Sequence, residues 1–578
     1  MKLALRHFSL GLTFSWTRPV LGSKPYAGGV CLRAHPFGTT ANVASAETQH
    51  ASTRPSYSRI NVGKRRTNDN DKIYHLLDSV HTDPAVLDSV REAVIKLEEV
   101  KDGSCLPTHT DVTKPYVERE AQRTVPEDHP VRHVLTILGP TEGSSAHYVA
   151  LDEMVKYLTW HDPSVQANRN HHLQQESKRP DLSIWTSVQD GQFAHNAAAL
   201  LLLHSPNLET LTYSACPLPY RQSDADHSDP YREHILRTVL LRNNYGLLPE
   251  PHLRKLKHVR LLPERGIWYE DGDTYSHMDI LGELRLFHRL PNIESVSIEG
   301  VEGHGGAGAV EYFPPHSSNI KHIHVSHSIL DNYAELILTS KALEAFTYSI
   351  GGRHTRDGGF YSVCSKTMGK ALWSQRTSLR KLDLDVDNIM SDDGDQGYER
   401  DVEDARMILE DYSESDEPYY RDQWFKLDEE ISEGPLLVFD LPDTGDYGGS
   451  IGSLHDYEKL THLSIGIQLL LGPSEMDVEY DLAARLPPSL EFLLLRGYTK
   501  GEHKRYDHII MHFQSQRAAK LPLLMEVQGV DEVVPSTPME PGRPQSRMFG
   551  SGSEEEEEEE EEVVYWRPEK RNEGWVEV

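Results

Sequence analysis

The chain has little cysteine and no long apolar run. Cys31, Cys105, Cys216 and Cys364 stand far apart among 578 residues, and no C-x-x-C pair occurs. That scarcity excludes a disulfide framework and a zinc ribbon. No Asn-x-Ser/Thr acceptor is present either. Both absences fit a reducing, intracellular compartment, cytoplasmic or nuclear. No apolar stretch approaches the roughly eighteen residues that a membrane-spanning helix needs, so no membrane is expected as a partner. Positive charge is also short: 59 Lys and Arg face 90 Asp and Glu, for a formal net charge of -31. Such a chain is poorly suited to gathering nucleic-acid phosphates. Two segments carry most of the excess. Glu554 to Glu562 supply nine negative charges, and Asp387 to Glu417 hold thirteen carboxylates against Arg400 and Arg406. Acidic runs of this kind read as solvated segments. The first 46 residues reverse the balance, with Lys2, Arg6, Arg18, Lys24 and Arg33 and no acid. That composition reads first as a disordered N-terminus or a start placed too far upstream, and it also suits a mitochondrial transit segment, the alternative localisation.

What is present in quantity is one apolar signature, φ-x-x-φ-x-φ. Its copies are Leu208-Leu211-Tyr213, Leu256-Val259-Leu261, Ile293-Val296-Ile298, Ile320-Ile323-Val325, Leu343-Phe346-Tyr348, Leu379-Leu382-Leu384, Leu460-Leu463-Ile465 and Leu490-Leu493-Leu495. Leu524-Val527 is a partial ninth. Several copies follow a short polar word, such as Ser205-Pro206-Asn207, Pro291-Asn292, Ser318-Asn319 or Pro488-Ser489. This is the pattern of a leucine-rich repeat, a short strand after a helix or loop. It predicts an α/β solenoid with a curved parallel sheet and helices on the convex side. No single unit can bury its apolar face alone, so neighbours supply the core. Predicted helices precede the strands at 197–203, 280–290, 330–338, 368–373 and 482–486.

The predicted organisation is a disordered segment over 1–75, a helical linker region over 76–129, a repeat domain over 130–532 and a disordered tail over 533–578 that contains the poly-Glu run 554–562. Within the linker, Asp83 to Val100 reads as a helix. Its apolar residues Val86, Leu87, Val90, Val94, Ile95 and Leu97 fall mostly at three- and four-residue steps, behind an Asp83 N-cap and Pro84. The 81 residues between the starts of the sixth and seventh copies exceed the usual loop length. They contain an acidic insertion at 388–420, expected to be disordered. One hidden unit is expected near Leu436 to Phe439.

Side chains alternate along a strand. The residues between the φ positions therefore share the face opposite the core. The candidate partner-binding residues are Thr210, Thr212, His258, Arg260, Ser295, Ser297, His322, His324, Lys381, Asp383, His462 and Ser464. Histidine and small hydroxyls dominate, with no acid cluster suited to a metal. Histidine ordinarily titrates near pH 6.5, so binding through this set is expected to change between pH 6 and 7.

Motifs that suggest catalysis lack their structural context. Gly448-Gly449-Ser450-Ile451-Gly452 fits G-x-S-x-G, but a nucleophile elbow needs a strand running into the serine and a helix leaving it. Here a Gly-rich turn surrounds Ser450, which leaves a serine hydrolase as the third and weakest reading. Asp443-Thr444-Gly445 has no second triplet to share a proton. Gly303 to Gly308 fits G-x-G-x-x-G, yet Pro314-Pro315 follows too soon for a phosphate-binding helix. His322, His324 and His327, and the pair His171-His172, lack a cysteine or carboxylate to complete a tetrahedral site. The expectation is no enzyme, no cofactor and no metal.

The wording of the later units narrows the comparison. Ile451-Gly452-Ser453-Leu454-His455-Asp456-Tyr457 leads into Leu460-Thr461-His462-Leu463, then Leu486-Pro487-Pro488-Ser489-Leu490-Glu491, then Leu521-Pro522-Leu523-Leu524 and Gly529-Val530-Asp531-Glu532. Over roughly residues 130–532 the chain resembles fungal leucine-rich-repeat proteins of the F-box type. The resemblance implies a solenoid that recognises a protein, joined to an F-box that docks on the linker subunit of a cullin-RING ubiquitin ligase. The F-box opening is Leu-Pro and an acidic residue. The only Leu-Pro before residue 130 is Leu106-Pro107, and polar residues follow it. The leading expectation is a non-enzymatic module that binds a protein partner. The alternative is a substrate receptor of an SCF-type ligase whose F-box is degenerate or missing.

Overall fold

Period-two burial demands extended backbone, and each of the eight full motifs forms a strand at its third to seventh positions. The computed structural model describes residues 58–63, 76, 83–96, 198–214, 235–248, 250–262, 275–303, 314–350, 363–390, 398, 402–403, 438, 441–443, 447, 449–474 and 480–536, all within one unit, Arg54–Val578. In chain order the strands are β1 (Arg59–Gly63), β2 (Glu92–Lys96), β3 (Thr210–Ser214), β4 (His258–Leu262), β5 (Ser276–Met278), β6 (Ser295–Glu299), β7 (Val301–Gly303), β8 (His322–Ser326), β9 (Ile329–Leu330), β10 (Ala345–Ser349), β11 (Lys381–Asp385), β12 (His462–Gly466), β13 (Phe492–Arg496) and β14 (Glu526–Gln528). Eleven of them make one sheet in the order β1-β2-β3-β4-β6-β8-β10-β11-β12-β13-β14. Every neighbouring pair is parallel. Strands β5, β7 and β9 form a second, smaller parallel sheet.

Parallel neighbours require a crossover. Besides helical residues 198–203, the crossovers contain α1 (Ile235–Asn244), α2 (Ile280–Leu284), α3 (Tyr333–Thr339), α4 (Ser365–Trp373), α5 (Ile467–Leu471), α6 (Leu482–Arg485) and α7 (Lys504–Lys520). The φ residues and the helices share one apolar cluster. All φ positions of the eight full motifs are at most 2 % exposed. Between α1 and α2 the guanidinium of Arg237 pairs with the buried Glu283 carboxylate and donates to Gly282 O at 3.1 Å.

The polar words before the strands have a specific task. Asn207 Nδ2 donates to Asp88 O (2.8 Å), Asn292 Nδ2 to Arg254 O (2.5 Å), and Asn319 Nδ2 to Arg289 O (3.0 Å) and Leu290 O (3.1 Å). Ser489 Oγ donates to Tyr457 O and Leu460 O at 3.3 and 2.9 Å. Each acceptor lies in the preceding unit, so the side chain beside the first φ position ties one unit to the next through backbone carbonyls.

Two expectations are corrected. The stretch expected as a helix from Asp83 to Val100 is instead a 3-10 turn, Pro84–Ser89, followed by β2. Asp83 does cap, accepting the Ala85 N–H at 3.2 Å. However, Val90, Ala93 and Ile95 match φ-x-x-φ-x-φ, and pairing with β1 and β3 outweighs the local period. Within 1–75, where disorder was expected, β1 pairs with β2 and buries Ile60 and Val62. The sheet therefore begins well before residue 130. Most of the insertion 388–420 and the poly-Glu run lie outside the described residues. Of the expected hidden unit only Val438 is described, and it is buried.

Candidate partner-binding face

The register of the sheet aligns the residues between the φ positions into rows. One row runs Thr210, His258, Ser295, His322, Ala345, Lys381, His462, Phe492 and Glu526 across β3 to β14. The next runs Thr212, Arg260, Ser297, His324, Thr347, Asp383, Ser464, Leu494 and Gln528. Adjacent strands stand ~4.8 Å apart, so all twelve candidate residues occupy two contiguous rows on one face.

Exposure divides them. His258, Arg260, His322, His324, Lys381 and His462 are exposed. Thr210, Ser295, Ser297 and Asp383 are half-buried. Thr212 and Ser464 are buried at 5 % and 9 % exposure, so these two sit in the face without presenting to solvent. Two anions of the face are engaged by arginine. Arg260 Nη2 meets Glu299 Oε2 at 2.6 Å, and Arg496 Nη2 meets Asp383 Oδ1 at 3.2 Å. His258 Nδ1 lies 2.8 Å from Ser295 Oγ. His462 stacks on Phe492 with ring centroids 5.9 Å apart, and its Nδ1 lies 2.9 Å from Thr461 Oγ1. The side chains on show are thus mainly hydrogen-bonding groups of basic character, with the partly buried Phe492 and Leu494 toward the C-terminal end.

A third row was missed in the sequence. The residues just before the strands alternate in charge: Arg91, Glu209, Lys257, Glu294, Lys321, Glu344 and Arg380. Each carbonyl in this row accepts two successive N–H groups of the next unit; Glu344 O, for example, receives Arg380 N at 2.8 Å and Lys381 N at 3.0 Å. The backbone repeat stacks the side chains into a ladder of ion pairs. Glu209 lies 3.8 Å from both Arg91 and Lys257, and Glu344 lies 3.5 Å from both Lys321 and Arg380. The signal was the second motif position, which alternates in sign from copy to copy.

Beyond the second row, at the strand ends, lie two buried carboxylates. Asp385 is 6 % exposed and Asp387 is 8 % exposed. Asp387 accepts the backbone N–H of Gln468 at 3.0 Å and of Leu469 at 3.1 Å, in the first turn of α5. Burial pushes its carboxyl up to about 6, against the pull of those two N–H groups, and Asp385 adds to the rise. A Cβ at Gly466 would collide with this carboxylate, so the glycine before α5 leaves the space that the cap fills.

The catalytic-looking motifs resolve into turns. Ser450 is 0 % exposed; its Oγ donates to Tyr447 O at 2.6 Å and accepts Gly452 N–H at 3.2 Å. Gly449 and Gly452 flank it with φ of 73° and 85°. Asp443 pairs with Lys366 at 3.0 Å. Gly303 ends β7, and 304–308 lie outside the described residues, as do His171 and His172. Among the described residues no group of three or more His, Cys, Asp or Glu could hold a metal ion, and no helix is long and apolar enough to cross a membrane.

No protein-family model, no curated protein and no solved structure matches this chain.

Proposed function

We propose that the chain is a non-enzymatic interaction protein, a leucine-rich-repeat solenoid that holds a protein partner across its sheet face. The observation that carries this reading is the alignment of His258, Arg260, His322, His324, Lys381 and His462, all exposed, in two adjacent rows of one face. Sheets covered by helices on both faces bury both, whereas here six basic side chains stand free of cover. A row of donors repeated at the strand spacing suits an extended peptide segment, whose carbonyls and carboxylates recur along its length. The burial of Ser450 and the use of its hydroxyl within a turn argue against the hydrolase reading. Likeness to F-box proteins leaves docking on a cullin-RING ligase as the second form of the same proposal, and co-purification with the linker subunit separates the two. The test of the face is His258→Ala, Arg260→Ala, His322→Ala and Lys381→Ala combined, followed by affinity capture from the source cell. The expected result is loss of the captured partner with unchanged circular dichroism. An unchanged partner list from a folded variant would move the binding surface off this face.

A further inference from the structure

Among the described residues the C-terminal end of the sheet is open. Strand β14 is last in the order, and β13 is its one partner in the sheet. The motif residues Leu524 and Val527 of this last unit are partly exposed, while their counterparts in the preceding unit, Leu490 and Leu493, are 0 % exposed. Four of the five exposed large hydrophobics among the described residues belong to this last unit: Met511, Leu523, Met525 and Val533, the last three within eleven residues of one another. Met525 reaches 79 % exposure. The helix of the same unit, α7, is basic. It carries Lys504, Arg505, Arg517 and Lys520 against Asp507 alone; Lys504, Arg517 and Lys520 are exposed, with Lys520 Nζ at 2.5 Å from Asp481 Oδ2. End units of a stacked array ordinarily present a polar outer face, and an uncovered edge strand, here Glu526–Gln528 with the exposed Leu523 and Met525 just before it, is a template for association.

The chain itself carries the complement. The described residues run to Ser536, where Val534 O accepts the Gly497 N–H at 2.8 Å and holds the chain beside β13. Beyond them stand Glu554 to Glu562, followed at once by Val563-Val564-Tyr565-Trp566. An acidic run joined to an apolar run matches a basic helix joined to an apolar edge. We propose that Glu554–Trp566 docks in cis on the open end, with Val563–Trp566 against Leu523, Met525 and Val527 and the glutamates along α7. Reach is not limiting: residues 537–553 span up to ~55–60 Å when extended, and the free edge of β14 is one strand spacing, ~4.8 Å, beyond β13. A tethered segment also acts at an effective concentration near the millimolar range, which favours it over a second copy in dilute solution. This inference is independent of the partner-binding face.

The test uses the full chain at low micromolar concentration and low salt. A zero-length carbodiimide cross-linker joins carboxylates to amines in contact, and an equimolar mixture of isotope-labelled and unlabelled chains separates links within one chain from links between two. The expected result is intrachain links from Lys504 or Lys520 to the 554–562 run. Amides of 523–528 should exchange at least tenfold more slowly than in Val563→Asp/Trp566→Asp, with exchange in β6 and β8 unchanged as the control for folding. Equal exchange in the two proteins, absence of such links, or links only between labelled and unlabelled chains would each overturn the proposal, the last assigning the open end to a second copy.

Discussion

Asp387 offers a pH-dependent test of how the units on either side of the acidic insertion are joined. Its carboxylate crosses 81 residues of sequence to cap α5, yet burial raises its pKa from the ordinary 3.8 to about 6. The folded state therefore binds this proton more tightly than the unfolded state. Stability from the group is fully present below pH ~4 and is lost as pH rises through about 6. A tenfold change in proton affinity is worth ~1.4 kcal/mol, so the loss amounts to ~3 kcal/mol at most. Asp387→Asn keeps an oxygen to accept an N–H of α5 and removes the charge. Near pH 4 the two proteins should be close in stability. Between pH 4 and 7 the variant should gain steadily on the wild type, by as much as ~3 kcal/mol. Urea denaturation at half-unit pH steps measures the difference, and hydrogen exchange at 467–471 localises it, which matters because a long stacked chain need not unfold in one step. A difference that stays flat, or that moves in favour of the wild type as pH rises, would mean that the two N–H bonds outweigh desolvation and would refute the reasoning.

The inter-unit hydrogen bonds and the charge ladder give two further expectations. Asn319→Ala leaves Arg289 O and Leu290 O without the amide that now serves them, and should cost about 1–3 kcal/mol in urea denaturation at neutral pH. Glu344→Lys replaces two attractions, to Lys321 and Arg380, with two repulsions. It should cost on the order of 1 kcal/mol in low salt, shrinking when sodium chloride is raised toward 1 M, because exposed pairs are weak and screened.

The parts of the fold that were legible in the sequence are those where one residue type meets one physical demand. Leu463, Leu382 and their counterparts read as buried because a strand buries every second side chain, and the same alternation placed His322 and His324 together on the opposite face. Strand β2 was misread because two periods coincide in it. Val86, Leu87, Val90 and Val94 satisfy a helical step, while Val90, Ala93 and Ile95 satisfy the repeat, and short apolar runs do not separate the two. What decided was the neighbour, since β1 and β3 offer parallel partners on both sides. Helix α7 escaped notice for a related reason. Its buried residues, Tyr506, Ile509, Ile510 and Phe513, end at Phe513, and the seven residues after it, Gln514 to Lys520, include no large apolar side chain.

The burial of Thr212 and Ser464 shows where alternation stops being informative. It predicts which face a side chain belongs to, not how far that side chain is exposed there: Thr212 and Ser464 are buried on the same face that exposes Arg260 and His462. The same limit explains why Asp387 looked like the start of a solvated acidic segment. Its neighbours in sequence are acidic, whereas its contacts are the backbone N–H groups of Gln468 and Leu469. A carboxylate so placed costs free energy when ionised, and it is retained at the junction where the chain departs into the insertion and returns to β12. The side chain there serves position rather than solubility: its oxygens cap the first turn of α5, just after β12, and so tie the segment that follows β11 to the next unit across the longest gap between motif copies.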